Sequence, residues 1–335
     1  MIAAATLMWR EAAEAPAAVA RLSRNRDALA TLTHRLRAAP PPLVVTCARG
    51  SSDHAATFAK YLMETALSVP VASFAPSISS IYHATPRLDG ALCLAISQSG
   101  RSPDLLAAAG AARAAGAHLV AMVNVEGAPL AGLADTMLPL QAGPERSVAA
   151  TKSLATAMAG ILSLVAEWSG REALRDAVEA APDALARAWE LDWGAAVDLL
   201  QDARGLFVTG RGIGLAAAQE AALKLKETCG IHAEAFSAAE LRHGPLTLIG
   251  PDFPVIAFRQ ADGTEASVDA LTATAVAQGG RVLVAGRDLP VTDAPTVLQP
   301  LCQILSFYRA TAELAVRRGR DPDRSTALSK VTETL

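Results

Sequence analysis

The sequence predicts an α/β protein made of two tandem, doubly wound parallel sheets, and three observations carry that reading. Short apolar runs alternate with Ala-rich amphipathic helices along the chain. The runs lack the strict in-out alternation of a half-exposed strand, as expected where helices cover both faces of a parallel sheet. The pattern also recurs at one offset. Superposing Arg49-Gly50 on Arg211-Gly212 sets a shift of 162 residues, which also lays Ala55-Ala56 on Ala217-Ala218, Phe74 on Phe236 and Val120 on Val282. Four elements aligned at one shift indicate a duplicated unit, and 335 residues suit two domains.

Taken in order, residues 1–40 are predicted as an N-terminal helical segment, with two helices over 8–38 separated near Asn25. The first domain spans 41–170, with strands at 43–47, 71–74, 91–96, 119–123 and 136–140. The first strand runs into Gly50-Ser51-Ser52 and a helix over 53–67. The third leads to a helix over 103–115, where Pro103 suits the first turn. Residues 171–203 are a charged helical connector with an expected break at Pro182. The second domain, 204–318, opens with the strand Gly205 to Gly210, a glycine turn and a helix over 215–228. By composition the tail, 319–335, is polar and frayed.

Composition narrows the function classes. Apolar residues make up 51% of the chain, and alanine alone more than a fifth, so the cores are built of small side chains. A net charge of −3 gives no general attraction to nucleic acid or anionic membrane. No stretch of about 18 apolar residues and no secretory leader is present, so a soluble cytoplasmic protein is expected. Cys47, Cys93, Cys229 and Cys302 are scattered, without zinc spacing, and read as buried reduced thiols. No metal or other cofactor is expected. Only five of the 30 basic residues are lysines: Lys60, Lys152, Lys224, Lys226 and Lys330.

In doubly wound sheets ligands bind at the carboxyl ends of the strands. There the third strand runs into Ser97-Gln98-Ser99-Gly100-Arg101-Ser102, where hydroxyls converge on a helix start as an anion site requires. A polar turn closed by a serine cap is the alternative. Ser51 and Ser52 add hydroxyls on the neighbouring loop, whereas the corresponding loop of the second half, 258–263, has lost its serines. Gly210-Arg211-Gly212-Ile213-Gly214 fails as a dinucleotide fingerprint because Leu215 stands where the third glycine belongs. Glu220, Lys224 and Glu227 share one helical face. They form either an exposed ion-pair ladder or a proton-shuttling group tuned by its lysine. His243 sits on a Gly-Pro turn.

Together these segments resemble the sugar isomerase (SIS) family. The likeness rests on Ser97 to Gly100, Val148-Ala149-Ala150-Thr151-Lys152, Glu220 to Glu227, His232 to Ala235, Glu240 to Leu246, and Leu328 to Thr332. The run 48–54 is most similar to stand-alone type II glucosamine-6-phosphate deaminases. The resemblance implies flavodoxin-like sheets, with Ser51, Ser52, Ser97, Gln98, Ser99 and Ser102 binding a sugar phosphate and the backbone at Val148 and Ala149 lining the sugar. It further implies Glu227 as the carboxylate moving a proton between C1 and C2, with Lys224 as its partner, and His243 as the ring-opening group. His243 would reach a neighbouring subunit's site, which implies a homodimer. Lys330 would lie in a tail folded over the ligand and could form a Schiff base. Arg101 and Ala150 depart from the synthase pattern, and a chain starting Met1-Ile2 leaves no room for a glutamine-hydrolysing domain. The expected activity is therefore an amino-sugar-phosphate deaminase/isomerase, producing fructose 6-phosphate and ammonia from glucosamine 6-phosphate or a close relative. The alternatives are another aldose–ketose phosphate isomerase, a fructosamine-phosphate deglycase, or a non-catalytic sugar-phosphate sensor.

Overall fold

A computed structural model describes residues 2–324 and Lys330. The chain divides into two compact units. One holds Ala17–Glu145, Ser153–Glu179 and Ser329–Leu335, and the other Met1–Pro16, Arg146–Lys152 and Ala180–Leu328.

In the first unit the expected strands form as β1 (Val44–Cys47), β2 (Val71–Ser73), β3 (Leu92–Ser97), β4 (His118–Val123) and β5 (Thr136–Pro139). All pair in parallel in the order β2-β1-β3-β4-β5. Every residue of β1 and β3 is buried, which explains their mostly apolar runs without in-out alternation. The covering helices press alanines on the sheet: Ala108, Ala109 and Ala112 pack with Val45, Cys93, Ala95 and Leu119 in one core. The missing side-chain bulk lets helix and strand approach closely.

The second unit repeats the order. Its strands β6 (Gly205–Gly210), β7 (His232–Ser237), β8 (Pro254–Phe258) and β9 (Arg281–Val284) pair in parallel as β7-β6-β8-β9. Phe207, Val255, Ala257, Leu271 and Val284 belong to its core. Trp193, fully buried, donates its indole N–H to the Pro290 carbonyl at 2.8 Å and packs against Phe258 and Phe307.

Two local expectations change. The break at Pro182 does not form, because one helix runs from Glu172 to Trp189 with Pro182 inside it. A proline removes one donor and crowds one carbonyl, which an amphipathic helix of 18 residues absorbs through its other packing. The helix expected over 215–228 is α-helical only over Gly214–Lys224 and then widens into a π turn, Leu225–Cys229. Such widened turns recur at functional sites, and this one carries Glu227.

Candidate active site

In the first unit the strand order reverses between β1 and β3, so the loops leaving their carboxyl ends are neighbours. Ser97 ends β3, and its buried hydroxyl accepts the Gly100 N–H at 2.9 Å, which closes a tight turn. Gly100 adopts a left-handed φ of 62°, and a Cβ there would lie 2.7 Å from Val123 Cγ2 and 2.8 Å from the Ala128 Cβ. Gln98 and Ser99 stay partly exposed on that turn. Ser102 precedes the helix Pro103–Ala114, yet its hydroxyl makes no capping hydrogen bond. The alternative of a serine-capped turn therefore does not describe how this hydroxyl is used. On the other loop, Ser51 and Ser52 open the helix Ser51–Leu67, both partly exposed. Two helix N-termini follow neighbouring parallel strands, so the positive ends of two helix dipoles lie at one edge.

A salt bridge spans the two loops. Arg49, at the end of β1, donates from Nε at 3.0 Å and from Nη2 at 2.8 Å to Asp104 Oδ2, on the helix after β3. Asp104 is only 2% exposed, whereas the Arg49 side chain is 52% exposed. Asp53, in the first turn after Ser52, has its carboxyl pushed above the usual range by burial, with His54 and Arg49 opposing. Sequence reasoning missed the Arg49–Asp104 pair because its partners lie 55 residues apart.

In the second unit Glu220, Lys224 and Glu227 come together, and the exposed ladder is excluded by burial. Lys224 Nζ lies 2.5 Å from Glu227 Oε2 and 3.5 Å from Glu220 Oε1. Lys224 and Glu220 have no exposed side-chain surface, while Glu227 keeps 19%. Tyr308, from the helix Gln299–Arg317, donates its hydroxyl to Glu220 Oε1 at 2.8 Å. Tyr308 carried no signal in the sequence, standing inside an otherwise ordinary apolar helix face. The group is a buried ammonium between two carboxylates, one of which reaches the surface.

The other expected residues are placed as follows. His243 ends a single 3-10 turn, Glu240–His243, and is exposed ahead of Gly244, whose φ is 139°. Val148 donates its N–H to the Asp323 carbonyl at 3.4 Å, and Ala149 is buried. The same stretch is held by Glu11, whose buried carboxylate accepts the Arg146 and Ser147 N–H groups at 2.5 and 3.1 Å. Lys152, buried, pairs with Glu14 at 2.5 Å. In the first unit Lys330 pairs with the buried Glu145 at 3.3 Å, whose carboxylate also accepts the Ser153 N–H and hydroxyl. The expected fold of the rest of the tail falls on residues 325–329 and 331–335, outside the described residues. The serine loops and Lys330 thus belong to the first unit, and Val148, Lys224, Glu227 and His243 to the second.

The second unit's equivalent strand-end loop is filled by its own side chains. Gln260 is fully buried and donates to Gln303 Oε1 at 2.7 Å, while Gln303 donates to the Arg259 carbonyl at 2.7 Å. A Cβ on Gly214 would lie 1.8 Å from Gln260 Oε1, so a side chain there would displace the buried carboxamide. The loss of serines seen in the sequence corresponds to a crevice occupied by glutamine.

The SIS domain family matches residues 42–166 and 199–293. The chain belongs to the SIS domain family. Among curated relatives, the glutamine–fructose-6-phosphate aminotransferase (isomerizing) of Aeropyrum pernix is 36% identical over 309 residues, 84% of this chain and 49% of that protein. The corresponding protein of Symbiobacterium thermophilum is 34% identical over 88% of this chain and 52% of its own length. This SIS chain therefore spans about half the length of the curated relatives it matches. Among solved structures, a protein from Silicibacter pomeroyi assigned as a phosphosugar isomerase is 42% identical, with a TM-score of 0.89, covering 95% of this chain and all of that one. Glucosamine-6-phosphate deaminase from Thermotoga maritima shares the fold at a TM-score of 0.80 and 20% identity, over 98% of this chain and all of its own. Among the described residues, no helix is long and apolar enough to cross a membrane.

Proposed function

We propose that this SIS chain is a sugar-phosphate deaminase/isomerase that converts glucosamine 6-phosphate, or a close relative, to fructose 6-phosphate and ammonia. The observation that carries the reading is the Glu220–Lys224–Glu227 group. A carboxylate that reaches the surface while a buried ammonium holds it is suited to take a proton from carbon and return it. The family and the assignment of the Silicibacter pomeroyi protein, at 42% identity, support a phosphosugar substrate.

In this reading Ser51, Ser52, Ser97, Gln98, Ser99 and Ser102 hold the phosphate and adjacent hydroxyls, and the backbone at Val148 and Ala149 lines the sugar. His243, supplied by a second copy in a homodimer, assists ring opening. Glu227 then takes the C2 proton of the open-chain aldose and returns it to C1, leaving an imine at C2. Water adds to that carbon, the C–N bond breaks, and ammonia leaves with the ketose phosphate. Lys224 and Lys330 stabilise charge on the sugar oxygens as the proton moves. The protein works in the cytoplasm and binds no nucleic acid.

A second reading runs the same relay towards the amino sugar, favoured by the curated relatives named glutamine–fructose-6-phosphate aminotransferase. One panel separates the possibilities: ammonia release and aldose–ketose interconversion from 6-phosphorylated glucosamine, galactosamine and fructosamine, and from glucose 6-phosphate. Ammonia from glucosamine 6-phosphate supports the proposal. Interconversion without ammonia release replaces it with a plain isomerase, and tight binding with no turnover replaces it with a sensor.

A further inference from the structure

We propose that Arg49 is a phosphate ligand of this site, the cation that a cradle of serine hydroxyls otherwise lacks, and that Asp104 holds it in place. The inference rests on the phosphate role of the serine loops proposed above and adds a residue to it. A phosphate monoester carries close to two negative charges at neutral pH, and hydroxyls with helix-end amides supply only partial positive charge. The serine turn brings no lysine, and its Arg101 is exposed, as Arg49 is, but of the two only Arg49 is held by a buried carboxylate among the described residues. Arg49 immediately precedes Gly50-Ser51-Ser52 at the carboxyl end of β1, the strand paired with β3.

Its geometry separates two faces. Nε and Nη2 both point at one oxygen of Asp104, which fixes the plane of the guanidinium. The side chain is nevertheless half exposed, and the fork of a guanidinium has five N–H donors, of which the two to Asp104 use only part. A buried aspartate at the start of one loop's helix, gripping an arginine from the next, is the arrangement that holds a cation rigid for an anion between them. A surface ion pair would give neither the 2% exposure of Asp104 nor the link between the loops.

Removing Arg49 alone would leave Asp104 a buried, unpaired charge and confuse folding with binding. The test therefore compares Asp104→Asn with Arg49→Ala/Asp104→Asn, in the full chain, by titration calorimetry with inorganic phosphate and with glucosamine 6-phosphate. The double variant is expected to bind both at least about tenfold more weakly than Asp104→Asn, since a lost charge-assisted hydrogen bond has that magnitude. Arg49→Lys, retaining a point charge, should fall between. In the ammonia-release assay the loss should appear in KM and leave kcat within about twofold. Equal phosphate affinity in the single and double variants would overturn the role of Arg49 while leaving the serine loops standing. Wild-type protein that binds neither phosphate nor glucosamine 6-phosphate would overturn the serine-loop reading itself, and Arg49 with it.

Discussion

Lys224 and Glu227 form a 2.5 Å ion pair across the junction where an α-helix widens into a π turn. The widening matters because the lysine is wholly buried while its partner carboxylate keeps a solvent-facing edge. The pair thus joins an internal charge to a group that solvent can reach.

Replacing Glu227 with Gln removes the proposed base and preserves its size. Turnover of glucosamine 6-phosphate should vanish while its binding stays within about tenfold, because the lost interaction belongs to the transition state. Full activity in this variant would end the proposed role.

Lys224→Met should be costly for stability. Glu220 has no exposed surface and would keep the Tyr308 hydroxyl while losing its neighbouring ammonium. Removing one partner of a buried pair costs about 3–5 kcal/mol. Urea unfolding should show that loss, and Glu220→Gln added to Lys224→Met should restore part of it. Equal stability of Lys224→Met and wild type would show that the pair is not held as described.

Gly100→Ala tests the serine turn. The alanine Cβ would meet Val123 and Ala128 below 3 Å and would also face a left-handed backbone. Overpacking alone costs about 1–3 kcal/mol, and the left-handed conformation adds roughly 1–2 kcal/mol. Phosphate binding should be lost with the turn, as calorimetry would show. A variant of wild-type stability and phosphate affinity would contradict the geometry.

Acid should weaken the first unit from near neutrality downwards. Burial, and then the Arg35 charge, pull the His118 imidazole below the usual histidine range against the pull of Asp135. Its ring contacts the Thr136 hydroxyl at 3.0 Å. A histidine depressed in the folded state binds fewer protons than in the unfolded chain, so stability is lost as pH falls through about 6.5. For Asp135 burial pushes upwards, but the Leu119 N–H and Arg113 outweigh it, so the carboxyl is lowered and a further loss follows below about pH 4. Urea midpoints between pH 7.5 and 5.5 should drop in the wild type and drop less in His118→Gln. An equal drop in both would assign the acid sensitivity elsewhere.

The four cysteines should be silent towards an aromatic disulfide in the native state. All are free and buried. Burial pushes the thiols up, to about 12 in Cys93 and Cys302 and about 11 in Cys229. Cys47 is pushed up as well, by burial and then by Cys93. Thiolate is the reacting species, so labelling should require unfolding. Rapid labelling of native protein would show one of these thiols to be accessible.

The duplicated sheets were legible because their central strands β1, β3 and β8, buried throughout, write themselves as short apolar runs, and duplication repeats the pattern at one shift. The glycine turns and the serine loop were legible for the same reason: each depends on neighbours in the chain. Pro182 misled, since a single residue's local penalty was weighed without the packing of a long helix that absorbs it. The Glu220–Lys224–Glu227 face was visible as helical spacing, yet spacing is the same for a solvated ladder and a buried cluster. Arg49–Asp104, Tyr308–Glu220 and Lys330–Glu145 left no trace in the sequence, because their partners are 55 to 185 residues apart.

What the sequence determined by itself is therefore the α/β class, the doubled unit and the loops that carry hydroxyls and carboxylates, all of them consequences of short-range periodicity and turn chemistry. What only the tertiary structure decided is which charges are buried and with what partner. Burial depends on elements distant in the chain packing over a residue, and it is burial that turns Lys224 from one of five scarce lysines into a fixed internal cation.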